Sequence, residues 1–536
     1  MSTAAFTASP PTSATFKKRA ARAACTALGI SCLLTLLGCS LPPLEGRSVS
    51  HALTTTEASQ TPLGQALEPD LTAHPGLSGI HPLHNPLDAF AARALLARAA
   101  ARTLDVQYYI WRNDITGNLL LGELIEAADR GVRVRLLLDD IGTSGLDPEL
   151  SALTLHTNIE VRLFNPFMLR KPKPLGYLAD LRRANRRMHN KSFTADNLAT
   201  IIGGRNVGDE YFGATDGVLF SDLDVMAIGP ISTDVSNDFD RYWASASAYP
   251  VKDILKPAPA STLKQLEADT EALLASSRAT EYRESIERSD FVRQLIDHTL
   301  PLHWVHVTMV SDDPAKGLGK ASGDQLLIPQ LEKALGKIES SLDIVSAYFV
   351  PTASGVTGLG DLVDHGVKVR VLTNSIEATD VPAVHAGYGK RRKALLERGV
   401  ILYEMRSLAP AYAETTDKKL FQRFGSSGAS LHAKTFAVDG KRLFVGSFNF
   451  DPRSALLNTE LGFLIDSPEL THQLVDAFDR GVPRLSYRVE LDDNKNLRWV
   501  GGLGPNAVVY TVEPHTTWWS RAMVTFLGWL PIESFL

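Results

Sequence analysis

One pattern of eighteen residues occurs twice in this chain of 536 residues, and it constrains the fold more than any other feature of the sequence. The first copy runs from His189 to Asn206 and the second from His432 to Asn449. Both copies obey one spacing: His, one residue, Lys, four residues, Asp, six residues, Gly followed by Gly or Ser, one residue, Asn. A lone His-x-Lys would mean little, but two copies that agree at every fixed position except Gly204 indicate a common chemical purpose.

The repetition extends well beyond this pattern. Segments 104–110, 131–137 and 159–163 resemble 342–349, 366–372 and 400–403, each offset by about 240 residues. Every one of these runs is apolar and β-branched, which predicts a short strand, and helical segments lie between them. The sequence therefore predicts an α/β fold made of two tandem copies, each a mostly parallel β-sheet flanked by helices.

The composition of the chain excludes several classes of protein. Apolar residues make up 44% of the chain and charged residues 21%, which is typical of a globular protein. The formal net charge is −5, from 55 basic and 60 acidic residues, so no excess of positive charge indicates nucleic-acid binding. All three cysteines lie in the first 39 residues, which leaves the globular remainder without a disulfide framework or a Cys-based zinc site.

The N-terminal 38 residues are predicted to be a lipoprotein signal peptide. A cluster of Lys and Arg at 17–22 precedes the uncharged run 23–38, whose length suits a signal peptide and is short for a membrane span. The run ends in Leu-Leu-Gly-Cys39, which resembles the lipobox of bacterial lipoproteins and implies acylation of Cys39. Such a protein would be anchored in the bacterial envelope facing the periplasm, with Ser40 favouring the outer membrane; an uncleaved membrane anchor is the alternative. Residues 39–82 are then predicted to be a flexible tether.

The spacing inside the repeated pattern has a physical logic. A His and a Lys two residues apart on a strand point to the same face, so an imidazole and an ammonium can meet one ligand. Asp196 and Asp439 fall at predicted turns, while the small residues Gly204 and Ser447 let backbone and Asn approach the same place. A nucleophile or acid, a cation and a neutral donor together suit a phosphate diester and its transition state. The sequence has no motif for a nucleotide loop or a metal, so we expect neither a metal nor another cofactor.

The two patterns resemble the HKD motifs of the phospholipase D superfamily, and the similarity covers most of residues 83–480. Segments 203–212, 220–225, 449–454 and 458–462 are in addition similar to the C-type group of bacterial cardiolipin synthases. The resemblance implies an active site where the two copies meet and a metal-independent transfer in two steps through a phosphohistidine.

The resemblance also assigns roles to individual residues. The candidate catalytic residues are those of the motifs: His189, Lys191, Asp196, His432, Lys434 and Asp439. The candidate phosphate-binding residues are Asn206, Asn449, Gly204 and Ser447, and the candidate residues that orient the histidines are Asp222 and Glu460. We expect His189 to be the nucleophile and His432 the acid and base, and we expect Asp196 and Asp439 to serve the turns rather than the chemistry.

The predicted organisation after the tether has four parts. Residues 83–250 and 326–480 form the two phospholipase D-like domains, 251–325 a polar helical connector, and 481–536 a C-terminal extension. The extension is rich in tryptophan and apolar residues near its end, which is compatible with a membrane interface or with packing against the core. A basic stretch from Arg170 to Lys191 is a plausible seat for anionic lipid headgroups.

The leading prediction is a cardiolipin synthase-like enzyme that joins phosphatidylglycerol to a second phospholipid, either phosphatidylglycerol or phosphatidylethanolamine. A hydrolytic phospholipase D, which would release phosphatidic acid, shares the same motifs and remains an alternative, as does a non-catalytic lipid-binding lipoprotein. A nuclease is disfavoured by the acidic overall charge. The expected partners are phospholipids and a membrane surface, no nucleic acid is expected, and no feature of the sequence identifies a protein partner.

Overall fold

A computed structural model describes residues 41–170, 176–177, 180–215, 219–297, 299–407, 430–533 and 536. The chain divides into two compact units, of which the larger comprises residues 44–166 and 182–536 and the smaller residues 1–43 and 167–181. Most of the smaller unit lies outside the described residues, and so does Cys39. Both copies of the repeated pattern belong to the larger unit.

The strands of the described residues are, in chain order, β1 (Ser78–Leu83), β2 (Thr103–Ile110), β3 (Arg133–Gly142), β4 (Ile159–Phe164), β5 (Ser192–Ala195), β6 (Ala199–Gly203), β7 (Phe220–Ser221), β8 (Asp224–Ile228), β9 (Ala248–Pro250), β10 (His303–Val305), β11 (Val307–Ser311), β12 (Ser341–Ser346), β13 (Lys368–Asn374), β14 (Ile401–Met405), β15 (Ser430–Leu431), β16 (Lys434–Val438), β17 (Arg442–Gly446), β18 (Leu461–Asp466), β19 (Ser486–Leu491), β20 (Leu497–Gly501) and β21 (Val508–Tyr510).

The α-helices are α1 (Thr55–Ser59), α2 (Pro62–Ala73), α3 (Pro86–Ala99), α4 (Ile115–Asp129), α5 (Asp147–Leu153), α6 (Leu181–Ala184), α7 (Asp209–Phe212), α8 (Pro230–Trp243), α9 (Val251–Ile254), α10 (Thr262–Leu274), α11 (Ser277–Glu287), α12 (Asp290–Ile296), α13 (Leu327–Leu335), α14 (Thr352–Asp364), α15 (Pro382–Glu397), α16 (Pro452–Leu456), α17 (Pro468–Asp476), α18 (Val482–Leu485) and α19 (Trp518–Trp529). Short 3₁₀ turns and one π turn add Pro314–Leu318, Gly323–Gln325, Gly504–Asn506 and Ala477–Gly481.

Two large sheets, one for each copy of the repeat, form the body of the larger unit. The first sheet has the strand order β10-β1-β8-β6-β5-β2-β3-β4-β9 and the second β11-β18-β17-β16-β12-β13-β14-β19-β20-β21. The tandem α/β fold is therefore confirmed. The expectation of mostly parallel sheets is wrong, since only β2-β3-β4 and β12-β13-β14 run parallel. The other pairs within these two sheets are antiparallel. They include the tight hairpin of each histidine motif, a connection that only antiparallel strands can form.

The duplication is also visible in a buried ion pair that each sheet carries at the same place. In the first sheet Nε of Arg135 donates to Oδ1 of Asp105 at 2.6 Å, and in the second Nε of Arg370 donates to Oδ1 of Asp343 at 2.5 Å. In both halves the acid lies on the first parallel strand and the arginine on the next. A buried charge is tolerated only when it is paired, so these pairs fix the register of the parallel strands.

The structure differs from the predicted domain limits at both ends of the first half. Within residues 39–82, predicted as tether, the structure has α1, α2 and all but the last residue of β1, and β1 pairs with β8 inside the first sheet. Side-chain caps at Thr54 and Thr61 begin the two helices, and Leu53 and Ala58 are buried. The connector contains the expected helices α10 to α12, but its last strands β10 and β11 join the first and second sheets, respectively.

An apolar layer packs the two sheets against each other. Ile202 and Val225 of the first sheet lie in one buried cluster with Leu443, Val445 and Phe463 of the second. This layer brings the hairpin β5-β6 next to the hairpin β16-β17, so that both repeated motifs face a common centre. In the described part of the chain no helix reaches the length and hydrophobicity of a membrane span.

Candidate active site

Each motif histidine is held by main-chain contacts with the opposite half of the molecule. The backbone N–H of His189 donates to the carbonyl of Thr459 at 2.9 Å, and that of His432 donates to the carbonyl of Ser221 at 2.7 Å. The strand β15, which ends just before His432, pairs in parallel with β7 of the first half. These contacts place the residues that follow Thr459 and Ser221 directly beside the histidines.

The histidines and their orienting acids pair crosswise between the halves. Nδ1 of His189 lies 2.8 Å from Oε2 of Glu460, and Nδ1 of His432 lies 2.5 Å from Oδ2 of Asp222. All four side chains are buried. The sequence predicted these four residues, but it gave no sign that each acid serves the histidine of the other copy.

Two buried lysines accompany the histidines. The ammonium of Lys191 donates to the carbonyl of His189 at 2.5 Å, and that of Lys434 donates to the carbonyl of His432. Burial lowers the pKa of Lys191 to about 7, and burial also lowers the pKa of Lys434. Two desolvated ammonium groups at one centre form a strong site for an anion, because a bound phosphate compensates the charge that burial penalises.

The surroundings shift the pKa values of the two histidine–acid pairs differently. Burial, together with the charges of Lys191 and Lys434, lowers the pKa of His189 well below its usual range, so its imidazole is neutral. Burial and Lys434 also lower the pKa of His432, but the carboxylate of Asp222 opposes that shift. Burial raises the pKa of Glu460 to about 7. Burial disfavours ionisation of Asp222 too, yet the charges of His432 and Lys434 hold its pKa below its usual value.

The Gly/Ser difference between the two motifs follows from the different lengths of the two acidic side chains, Asp222 and Glu460. The hydroxyl of Ser447 donates to Oε2 of Glu460 at 2.5 Å. A Cβ atom at Gly204, the equivalent position, would lie 2.1 Å from Oδ1 of Asp222. The first copy therefore has room only for glycine, because the shorter Asp222 side chain brings its carboxylate against the backbone.

The two motif asparagines are also unequal. Asn206 is engaged by the protein itself, since its Oδ1 accepts from the N–H of Ile110 at 3.2 Å and its Nδ2 donates to the hydroxyl of Tyr211 at 3.1 Å. Asn449 is buried, and its Oδ1 has no hydrogen-bond partner among the described residues. The side-chain amide of Asn206 is therefore engaged at both of its polar atoms, whereas that of Asn449 has an open acceptor within the described part of the chain.

The motif aspartates lie away from the histidines, at the turns of the hairpins. Asp196 accepts hydrogen bonds from the N–H groups of Ala101, Arg102 and Thr103 at 2.8–2.9 Å. Asp439 does the same for the segment that enters β12, from Glu339 to Ser341. Of the six candidate catalytic residues, these two tie the hairpin turns to the neighbouring chain and do not join the centre.

Two positioning residues were missed by the sequence reasoning. Oδ2 of Asp139 accepts from the N–H of Met188 at 2.7 Å, and Oδ1 of Asn374 accepts from the N–H of Leu431 at 2.9 Å. Each therefore holds the residue that immediately precedes a motif histidine. Asp139 and Asn374 stand at equivalent places in β3 and β13, so extending the matched segments 131–137 and 366–372 by two residues would have revealed them.

Three tyrosines pack around the histidines, and no pattern in the sequence predicted them as a group. The ring of Tyr109 packs edge-on against His189 at 4.9 Å between centroids, and the rings of Tyr211 and Tyr348 lie 5.2 and 6.4 Å from His432. The hydroxyl of Tyr348 donates to Oδ2 of Asp380 at 2.7 Å. Aromatic rings of both halves therefore pack around the two histidines.

Some residues of the basic stretch before the first motif form contacts within the protein itself. Nη1 of Arg187 pairs with Oδ1 of buried Asp139 at 3.1 Å, and Nη1 of Arg186 donates to the carbonyl of Leu456 at 2.9 Å. Lys171 and Lys173 lie outside the described residues. Within the described ranges, no group of three or more His, Cys, Asp and Glu side chains is arranged to hold a metal ion.

Two α/β halves that bring one His-Lys pair each to a single centre define a phospholipase D-like protein. The family model described as "Cardiolipin synthase, PLD-like domain" matches residues 93–243 and 328–482, and the chain belongs to this family. The chain is 48% identical to cardiolipin synthase C of Escherichia coli (strain K12), over 88% of this chain and 99% of that protein.

More distant relatives agree with this assignment. The chain is 22% identical to cardiolipin synthase B of Escherichia coli (strain K12), over 81% of this chain and 86% of that protein. A crystal structure of phosphatidylserine synthase from Haemophilus influenzae Rd KW20 aligns with a TM-score of 0.52 at 15% identity, covering 79% of this chain and 91% of that one. The last similarity shows a common fold.

Proposed function

We propose that this protein is a cardiolipin synthase-like phosphatidyltransferase, which joins phosphatidylglycerol to phosphatidylglycerol or phosphatidylethanolamine to give cardiolipin. The observation that carries the proposal is the pair of buried histidines, each hydrogen-bonded to a carboxyl group of the opposite half and accompanied by a buried lysine. The similarity over nearly the whole of cardiolipin synthase C supports the same reaction.

In the first step His189 attacks the phosphorus of the donor lipid. Its Nδ1 is engaged by Glu460, so the attacking atom is Nε2, and its depressed pKa keeps the imidazole unprotonated. As the new P–N bond forms, the P–O bond to the leaving alcohol breaks, and His432 gives its proton to that oxygen. The charge of Asp222 stabilises the protonated form of His432 that this step needs.

In the second step the phosphohistidine is resolved by the acceptor lipid. The primary hydroxyl of a phosphatidylglycerol headgroup transfers its proton to His432 and its oxygen attacks phosphorus, while the P–N bond to His189 breaks. Both histidines thereby return to their starting protonation. Lys191, Lys434 and Asn449 hold the non-bridging oxygens in both transition states.

The test is an assay of purified full-length protein with phosphatidylglycerol, with and without phosphatidylethanolamine. We expect cardiolipin, and we expect His189→Ala and His432→Ala each to abolish its formation, whereas His365→Ala, which removes an exposed histidine, should leave it unchanged. Phosphatidic acid as the main product would instead establish a hydrolytic phospholipase D. An inactive wild-type protein that still binds phospholipid would establish a lipid-binding lipoprotein.

We further propose that the protein associates with the bacterial membrane through a lipid on Cys39, by analogy with the lipobox. Acyl chains at the N-terminus would keep the enzyme at the surface in which its substrates reside. Mass spectrometry of protein isolated from membranes should find acylated Cys39 at the new N-terminus. An unmodified Cys39 would refute the anchor without affecting the proposed reaction.

A further inference from the structure

The C-terminal helix α19 exposes an unusual amount of apolar surface. Five of its large apolar side chains are between 48% and 79% exposed, and they define what we call the aromatic face: Trp518, Trp519, Met523, Phe526 and Trp529. None of the residues of α19 is buried. At 100° per residue these five side chains fall within an arc of about 140° on one side of the helix.

The opposite side of α19 is already occupied by the protein. The helix packs on α15, and its less exposed residues Val524, Leu527 and Gly528 lie on the side of the helix away from the aromatic face. Beyond its end, Glu533 forms an ion pair with Arg391 of α15, with Nη2 2.8 Å from Oε2. The orientation of the helix is therefore fixed, and the aromatic face points away from the protein.

The chemistry of this face fits a phospholipid bilayer better than a second protein surface. Tryptophan is enriched where membranes meet water, because its ring is apolar and its N–H can reach the polar headgroups. The helix carries one arginine, Arg521, and no carboxylate, and the exposed Lys390 lies at its end with Nζ 3.5 Å from the carbonyl of Leu530. An amphipathic helix with cations and no anion suits the interface of an anionic leaflet.

The aromatic face is connected to the candidate active site through short contacts. Helix α15 begins two residues after Asp380, which accepts the hydrogen bond from Tyr348 beside His432. The carbonyl of the last residue, Leu536, accepts from the N–H of Arg453, four residues after Asn449. Insertion of α19 into a bilayer would therefore hold the elements that border the site against the surface from which substrates come.

From these observations we propose that the aromatic face of α19 docks the enzyme on an anionic phospholipid bilayer, with the five side chains inserted at the headgroup level. The helix would lie in the plane of the interface and not cross it, since its 12 residues are too few for a span. The biological role of this docking rests on the proposed function. Its physical test is independent of turnover.

The test places an environment-sensitive dye at position 523 of the full-length chain. Met523→Cys is labelled in a background in which Cys25, Cys32 and Cys39 are replaced by serine, and Ile296→Cys, 70% exposed on α12, is the matched control. On addition of phosphatidylglycerol vesicles we expect a blue shift of emission at 523 and none at 296. The absence of a shift at 523 would overturn the proposal. An equal shift on raising the protein concentration without vesicles would overturn it as well, because it would indicate that a second copy of the chain covers the aromatic face.

A second arm of the test connects docking to catalysis. The variant Trp519→Ser/Phe526→Ser/Trp529→Ser should lower the ratio of turnover on vesicles to turnover on detergent-dispersed lipid by at least about tenfold. The control Leu155→Ser/Ile296→Ser should keep the wild-type ratio. An unchanged ratio in the aromatic variant would count against docking. An inactive wild-type protein, together with a blue shift in the labelled Met523→Cys variant, would refute the proposed function alone.

Discussion

Glu460 is a residue at which the needs of the site and of stability conflict. Burial raises the pKa of its carboxyl from the usual 4.5 to about 7. The folded protein therefore holds this proton more tightly than the unfolded chain, and the contribution of the group to stability is present at low pH and is lost as pH rises through about 7. The same carboxyl contacts Nδ1 of His189, the histidine that we propose it orients.

We predict from this that Glu460→Gln stabilises the protein at high pH while it lowers activity. At pH 8 the free energy of unfolding should rise by up to about 3 kcal/mol, and at pH 4 it should change little, because both side chains are then neutral. Denaturant unfolding at the two pH values measures the difference, with Glu469→Gln, which changes an exposed carboxylate, as control. An equal effect at both pH values would contradict the assignment of the raised pKa to Glu460.

Gly204 is the position where the two motifs are not interchangeable. We predict that Gly204→Ser, which would make the first motif match the second, displaces Asp222 from His432, since the new Cβ would meet Oδ1 of Asp222 at 2.1 Å. Overpacking of this kind should cost about 1–3 kcal/mol of stability, with a larger loss of turnover. Thermal unfolding and initial rates measure both, and Ser447→Gly is the reciprocal control: it removes one hydrogen bond to Glu460 and creates no clash.

At the scale of elements, the strands β3 and β13 hold the two histidine segments through Asp139 and Asn374. We predict that Asn374→Ala lowers kcat by up to about 10²-fold with little change in KM, because Leu431 and hence His432 lose their anchor. The variant Asn374→Asp keeps the acceptor for the N–H of Leu431 and should retain more activity than Asn374→Ala. Equal losses in the two variants would show that the amide does not act by positioning this segment.

The elements also show which parts of the fold can be predicted from the sequence pattern. Helices α10 to α12 and the parallel strands were predicted because their patterns are local and repeated. Strands β10 and β11 were not, since three and five residues inside a polar connector carry too weak a periodicity. They are strands only because each finds an open edge of a sheet, β1 for β10 and β18 for β11.

At the scale of the whole molecule, the two halves cannot function or melt independently. Each supplies the acid for the histidine of the other, and the apolar layer around Phe463 joins their sheets. We predict a single calorimetric unfolding transition for the larger unit. Phe463→Ala should destabilise it by about 3–5 kcal/mol and move that one transition to lower temperature. Two resolved transitions, with only the second half affected by Phe463→Ala, would refute this coupling.

The sequence by itself determined the chemistry and the plan of this protein. The types and spacing of His189, Lys191, His432 and Lys434, together with the repeated strand patterns, specified a duplicated α/β fold and a phosphoryl-transfer site. These features can be predicted from the sequence because each depends only on the types of a few residues and on their short spacing along the chain.

Only the tertiary structure decided which residues meet. The crossing of Glu460 to His189 and of Asp222 to His432 joins residues 271 and 210 positions apart, and no local pattern encodes such a choice. The same holds for α19, whose apolar residues fitted both a core and a membrane interface until the packing of α15 fixed which side faces outward. Long-range contacts depend on how whole sheets pack. The apolar area that is buried in this packing is spread over many side chains, so no single residue specifies it.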